Sequence, residues 1–424
     1  MAKKTVKVTI NGTGFAGDYT AQVYGLIPHK NGVNIDLAGV CSGHLENAEK
    51  FAAKHGIGGA FENHQEMVAQ IKPDIDNIAC ANYAHGQYAM EAAEAGAKVI
   101  VLEKPPVIWP GYPEGREANC ETKKHETMAY LTQVLDTIKR CGSKLLYAED
   151  FVYFDGVKGM VELLMQARKV DKGRILYQRG ICAHQGSHAP AYDTPSLSGG
   201  GALFNKACHP LGPILYLKQV EGILANGKPI RPKKVSAVAL QVLKHQPESA
   251  GEHFRVMQNV DDFGRITIVF EDETVADVFG YDLSISGIKN ELYLISDFAQ
   301  YDIRVNPTSG NELFLPKADA AGDLLLREKL PTPQGTSFPM PNQFYAHGYV
   351  NEMNDAVDCV LEADRYPQSG ALMAWDTMAV LMASYESSEK HSAFVDLTDC
   401  IDARSFDATE MPEPEKFGTV FQKQ

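Results

Sequence analysis

The sequence predicts an α/β chain in two parts. A doubly wound parallel-sheet domain occupies about residues 1–150, an α+β domain with an open, mostly antiparallel sheet occupies 151–400, and 401–424 reads as a tail. Three observations lead there. From Thr5 to Tyr147 short apolar runs alternate with helical segments, the pattern of a parallel sheet covered on both faces. The first of these runs passes into GTGFAG and then into a helical segment, the opening of a βαβ unit. Beyond residue 230 several strand-like runs follow one another with Gly, Asp and Glu between them, which favours antiparallel pairing.

The elements follow in order. TVKVTI, VNIDLAGV, IDNIAC, KVIVLE and SKLLYAE are the strands of the first domain. ENAEKFAAKHG, HQEMVAQIK and HGQYAMEAAEAGA carry apolar residues at helical spacing, two of them reaching a glycine stop. WPGYPEGREANCETKK, residues 109–124, reads as an inserted surface loop. In the second part a helix is expected over 155–168, a Gly/Pro/Ser-rich loop over 184–201 and a helix over 203–218. The strands KVSAVALQVL, RITIVFED, TVADVFGYDL and ELYLISDF come next. Residues 306–343 read as an irregular excursion, and helices are expected over 344–364 and 369–387, the second packing back toward the first domain. The segment from EMPEPEKFG onward reads as a tail that needs a partner surface to be ordered.

Composition narrows the function classes. The chain has 424 residues, 44% of them hydrophobic, and a net charge of −14. That charge opposes extended contact with nucleic acid or an anionic membrane surface, so a small molecule is the expected partner. The eight cysteines form no CxxC pair and several sit in apolar stretches, as reduced residues of a cytoplasmic protein do. The N-terminal MAKKTVKVTI lacks the apolar region of a signal peptide, and no run is long and apolar enough to span a bilayer.

The chemistry-bearing motifs begin with residues 12–17. Gly12 makes the tight turn, Gly14 lets backbone approach a pyrophosphate, Gly17 allows close helix packing, and Thr13, Phe15 and Ala16 complete the loop at a helix N-terminus. The second strand ends in Cys41-Ser42-Gly43-His44 and supplies neither a carboxylate for a ribose diol nor an arginine for a 2′-phosphate. Ser42 and His44 are either cofactor contacts or ordinary loop residues; NAD is favoured and NADP stays open. Glu103-Lys104-Pro105 closes a strand at the carboxyl edge of the sheet, where the Lys104 ammonium can stabilise a developing alkoxide. SGGGALFNKACHPLGP puts Asn205 and His209 four residues apart and so on one helix face, with Lys206 turned about 100° away. His184 and His188 have a spacing that suggests a metal, but Gly186 and Pro190 oppose the helix that would make them converge, so no metal is expected.

With these motifs in hand, the chain resembles the Gfo/Idh/MocA oxidoreductases. The resemblance rests on GTGFAG, EKP, GGGALFNKACHP, YAEDFVY, GRITIVFEDETVADV and SGALMAWDTMAVLMASYESS. It implies a Rossmann domain followed by an α/β domain, and hydride transfer between a sugar or polyol carbon and nicotinamide. Carried residue by residue, it implies Lys104 and His209 as catalytic residues and Pro105 and Asn82 near the cofactor. The family's aspartate position holds Asn205, and an amide cannot accept a proton. Either His209 is a base unaided while Asn205 orients substrate, or the chemistry departs from simple dehydrogenation. Tyr153, His184, His188 and Asp193 are candidates for holding sugar hydroxyls.

The expected function is NAD(P)-dependent oxidation of a secondary hydroxyl of a sugar or glycoside, with C3 favoured. The alternatives are a redox-neutral, NAD-dependent glycoside hydrolase, towards which CHPLGP leans, and a non-catalytic dinucleotide sensor, which the pairing of Lys104 with His209 opposes. Apolar residues on both faces of RITIVFEDETVADV, including Val269, Val275 and Val278, predict a homo-oligomer joined through the open sheet face.

Overall fold

The computed structural model describes residues 4–27, 32–187, 189–285, 287–306, 313–317, 334–337, 347–418 and 420. Six parallel strands form the first sheet: β1 (Thr5–Asn11), β2 (Asn34–Cys41), β3 (Ala60–Phe61), β4 (Ile75–Ile78), β5 (Val99–Glu103) and β6 (Lys144–Ala148), in the order β3-β2-β1-β4-β5-β6. Helices α1 (Phe15–Leu26), α2 (Leu45–His55), α3 (His64–Ile71), α4 (His85–Glu94) and α5 (Cys120–Arg140) connect them. The order reverses between β1 and β4, so the loops leaving β1 and β4 diverge there and open a crevice at the carboxyl ends of the strands.

The 109–124 stretch is a partly buried structure and not a loose insertion. Trp109 is 1% exposed and its Nε1 donates to Glu126 Oε2 at 2.8 Å. From Cys120 the chain is already α5, capped by the Asn119 side chain, which accepts from Thr122 N at 2.8 Å. Lys124, buried, pairs with Glu386 at 2.5 Å and ties α5 to the helix Ala371–Glu389.

Helix α6 (Asp155–Arg168) leads into β7 (Ile175–Ala183), a strand the sequence reading passed over although it lies in the interior of the second sheet. With β8 (Pro232–Leu240), β9 (Phe263–Phe270), β10 (Val275–Tyr281), β11 (Lys289–Ser296), β12 (Gln300–Asn306) and the edge piece Val395–Asp396 it forms the order β12-β11-β7-β10-β9-β8-edge. All pairs are antiparallel except β7 with β10. Of the 306–343 excursion, the short strands Leu313–Leu315 and Gly335–Ser337 pair, and residues 307–312, 318–333 and 338–343 lie outside the described residues.

Between α6 and β8 the expected single helix over 203–218 is broken. The chain forms α7 (Pro195–Ser198), α8 (Ala202–Asn205) and α9 (Cys208–Asn226). The break has a packing cause. α8 lies so close to the sheet that a side chain at Gly280 would collide with Ala207 N and Ala202 O, and one at Gly264 with Leu203. Asn205 and His209 therefore belong to different helices.

Two further expectations change. Val278 is fully buried, opposite Ile266 on the covered face, so only Val269 and Val275, which face each other across β9 and β10, sit on the open side. Residues 401–418 are docked on the chain's own surface: Phe417 is 7% exposed against the rings of Tyr153 and Tyr216, and Arg404 is held by Asp136 and Glu410.

Candidate active site

A cavity of about 620 Å³ opens at the crevice between β1 and β4 and extends under the second sheet. Its first wall is the glycine loop. Gly12 has φ +116° and its N–H donates to Cys41 O at 2.9 Å, while any side chain there would collide with the Ala79 carbonyl. Gly14 differs: nothing lies within 4 Å of where its Cβ would be. That open space, at the N-terminus of α1, is the cradle a pyrophosphate needs. Gly14→Ala is therefore expected to leave the melting temperature nearly unchanged and to weaken NADH binding about tenfold or more, since backbone approach to the pyrophosphate depends on the missing Cβ. Unchanged NADH affinity by fluorescence titration would remove the loop from that role.

Thr13, Phe15, Ala16 and Ser42 join the lining, and Thr13 Oγ1 donates to Ser42 Oγ at 3.3 Å. His44 does not join; it is the exposed N-cap residue of α2. The acid that the end of β2 lacks is brought in from the next strand. Glu62, directly after β3, lines the cavity beside Ser42 and Gly43, with Ser42 N donating to Phe61 O at 3.1 Å.

The second wall carries the candidate catalytic groups. Glu103 and Lys104 leave β5; Tyr19 donates its hydroxyl to Glu103, and Glu103 Oε2 accepts from Lys104 N at 3.2 Å. Pro105, joined to Lys104 by a cis bond, is outside the lining, its carbonyl hydrogen-bonded to His85 Nδ1 at 2.7 Å. Burial acts to lower the Lys104 pKa, but Cys208, Glu103, Glu149 and Asp150 outweigh it and hold the ammonium above its ordinary value. Lys104 stays a cation at neutral pH.

His209, in the first turn of α9, lies 3.0 Å through Nδ1 from Glu149 Oε1 and 3.7 Å from Asp150 Oδ1. Glu149 is fully buried just past β6. A carboxylate on Nδ1 fixes the ring and leaves Nε2 as the atom available to the cavity. Burial, and then the Lys104 charge, push His209 well below 6.5, whereas burial raises Glu149 and Asp150 well above the usual carboxylate range. The ligand atoms of Glu149, Cys208 and His209 lie within 4.8 Å of one another. Burial pushes the Cys208 thiol up, however, and His209 Nδ1 is already engaged, so the trio reads as a proton-transfer pair and not a cation site.

Asn205 lines the cavity with its amide committed on both sides. Nδ2 donates to Gly200 O at 2.7 Å and Oδ1 accepts from Asn82 Nδ2 at 3.2 Å. Asn82 also donates to Ser198 O at 2.8 Å, so the two amides brace the glycine-rich turn against the first domain. The helix break changes the reading of Lys206: it is buried, it lines the cavity, and its ammonium lies 3.3 Å from Asp282 and 4.5 Å from the Tyr192 ring centroid.

The predicted sugar-contacting residues divide. His184 lines the cavity, its Nδ1 accepting from Gly186 N at 3.1 Å. His188 lies outside the described residues. Tyr153 is buried away from the cavity, donating to Asp355 Oδ2 at 2.9 Å. Asp193 caps another loop, accepting from Gln258 N and Asn259 N. The reading missed Glu149, Asp150 and Glu62. Each follows the end of a strand of the parallel sheet, the same positional rule that selects Lys104.

Comparison with known proteins bears on the first domain's sequence and on the fold. Residues 6–131 match the model of the Gfo/Idh/MocA family, an oxidoreductase family with an NAD-binding Rossmann fold. Over 132 residues, 31% of this chain, the sequence is 30% identical to D-glucoside 3-dehydrogenase of Escherichia coli (strain K12), and that match spans 35% of the relative's length. Among solved structures, GenD2 from gentamicin A biosynthesis in complex with NAD superposes with a TM-score of 0.74 at 19% identity, covering 93% of this chain and 97% of that one. Scyllo-inositol dehydrogenase from Lactobacillus casei, with bound NAD(H) and scyllo-inositol, gives 0.67 at 18% identity over 93% and 100%. Residues 6–131 are thus similar in sequence to the Gfo/Idh/MocA oxidoreductases and form an NAD-binding Rossmann domain, and the fold of both domains is shared with these solved structures.

Proposed function

We propose that the protein is an NAD-dependent dehydrogenase that oxidises a secondary hydroxyl of a sugar or glycoside to a ketone, with C3 the favoured position. One observation carries the reading: a cationic lysine and a neutral histidine backed by a buried glutamate share one cavity with a pyrophosphate-type glycine loop. The E. coli relative, named for oxidation of D-glucosides at position 3, supports the substrate class. Glu62 beside Ser42 supports NAD over NADP, because a carboxylate there accepts from a ribose diol and repels a 2′-phosphate.

When bound, nicotinamide supplies the hydride acceptor. Lys104 donates to the substrate hydroxyl and favours its alkoxide form. Neutral His209 takes the hydroxyl proton at Nε2, and as it does so its Nδ1 proton shifts toward Glu149, whose raised proton affinity suits it to receive one. The relay that Asn205 cannot provide thus runs through a carboxylate on another element. Asn205 holds the turn that shapes the pocket.

The test is a panel of methyl glycosides and inositols incubated with NAD or NADP while reduced cofactor is followed by absorbance. Accumulation of NADH with a glucoside, and far less with NADP, supports the reading. Sugar release without net NADH would favour the redox-neutral hydrolase, and no reaction across the panel would overturn both.

The assembly proposal rests on the open face of the second sheet, where Val269 and Val275 are accompanied by Phe279 and Tyr281, and Leu176 and Ile295 are 49% and 36% exposed. Such a face is expected to pair with its own copy. Light scattering should give a dimer or higher multiple that Val269→Glu weakens. A 46.5 kDa particle at micromolar concentration would contradict it.

A further inference from the structure

On the cavity wall formed by β11, β12 and the entry to the helix Tyr349–Leu361, three polar side chains make a chain of hydrogen bonds. Asn290 Nδ2 donates to Asn306 Oδ1 at 2.8 Å, and Asn306 Nδ2 donates to His347 Nε2 at 2.8 Å. The three are 5%, 4% and 4% exposed, and all line the cavity. Burial lowers the His347 imidazole to about 4, so the ring is neutral at physiological pH. A neutral ring whose Nε2 accepts must carry its proton on Nδ1. Among the described residues that Nδ1–H has no hydrogen-bond partner.

Two contacts fix His347 relative to the reacting groups. Its neighbour Gly348, with φ +94°, lies so close to Asp150 O that any side chain there would collide with it. His347 is thereby locked to the segment whose Glu149 and Asp150 face His209. On the other side Tyr349 packs its ring 4.5 Å from that of Tyr19, whose hydroxyl bonds Glu103 beside Lys104.

We propose that His347 is a substrate-binding residue whose Nδ1–H donates to a hydroxyl of the polyol adjacent to the carbon being oxidised, with Asn306 as the positioning residue that sets its tautomer. The ligand class is a ring bearing vicinal hydroxyls, and the proposal rests on the dehydrogenase reading above. A ring lacking the neighbouring hydroxyl loses the bond.

The test is a cycle on the full chain with methyl β-D-glucoside and its 2-deoxy and 4-deoxy analogues as probes. Wild type is expected to lose about tenfold in kcat/KM on one of the two analogues, the scale of one hydrogen bond. His347→Ala should lose a similar factor on the parent glucoside, mainly through KM, and nothing further on that analogue. Melting temperature and NADH affinity should not move. As a second variant, Asn306→Asp would take the proton of His347 onto Nε2 and turn Nδ1 into an acceptor. KM should then rise while NADH affinity stays constant. Parent-glucoside kinetics in His347→Ala within twofold of wild type, a full deoxy penalty persisting in that variant, or an unchanged KM in Asn306→Asp would each overturn the role of His347 while leaving the dehydrogenase standing. A wild type that oxidises none of the three glucosides would overturn both.

Discussion

Replacing Lys104 with methionine is expected to lower turnover by about 10²–10³, the range for removal of a group that stabilises a developing oxyanion. NADH binding should survive, because Lys104 follows β5 while the pyrophosphate cradle lies at Gly14, after β1. The variant should also melt at a lower temperature. The Lys104 ammonium is the countercharge for Glu149 and Asp150, and without it burial drives those two carboxyls further toward their protonated form. Single-turnover measurement with saturating NAD separates the two effects. A folded variant that binds NADH and turns over near the wild-type rate would refute the role of Lys104.

The second large effect is expected at His209. His209→Ala should cost about 100-fold or more, the scale for loss of a positioned base. The pH profile is the sharper readout. The base works unprotonated, so activity falls as pH drops through its pKa. Burial and Lys104 depress that pKa, so wild-type kcat/KM should hold through neutral pH and bend only below 6.5. In His209→Ala the bend should vanish. Glu149→Gln keeps an acceptor for Nδ1–H but cannot receive its proton, so its loss should be smaller than that of His209→Ala. A bend that persists unchanged in His209→Ala would assign the base to another group.

Much of this was legible in the sequence, for identifiable reasons. Most of the parallel sheet could be read because five of its six strands are short apolar runs alternating with helical segments; β3, only Ala60–Phe61, is too short to leave such a run. The glycine loop was readable because GTGFAG stands between β1 and α1, where its geometry has a use. Lys104 and His209 came from position and motif together. Glu149 did not, although YAED lies directly after a strand: its role exists only once α9 brings His209 across 60 residues of chain. The break between α8 and α9 had a local signal that went unread: Pro210 cannot donate to Lys206 O, so it opposes a helix continuing from α8 and fits the first turn of a new one. Gly264 and Gly280 add the packing side, because they let the backbone press onto a sheet whose strands come later in the sequence. The ordered segment around Phe417 was misread for a related reason. EMPEPEKFG has loop composition, and only the rings of Tyr153 and Tyr216 give it a place to dock.

The central claim is that a hydride leaves a sugar carbon for nicotinamide while Lys104 and His209 manage the hydroxyl proton. Methyl β-D-glucoside deuterated at C3, incubated with the enzyme and NAD and followed by mass spectrometry of the reduced cofactor, tests it most directly. The account predicts one deuterium per NADH formed, together with an equimolar ketone. Deuterium released to water, or ketone formed without labelled cofactor, would contradict it.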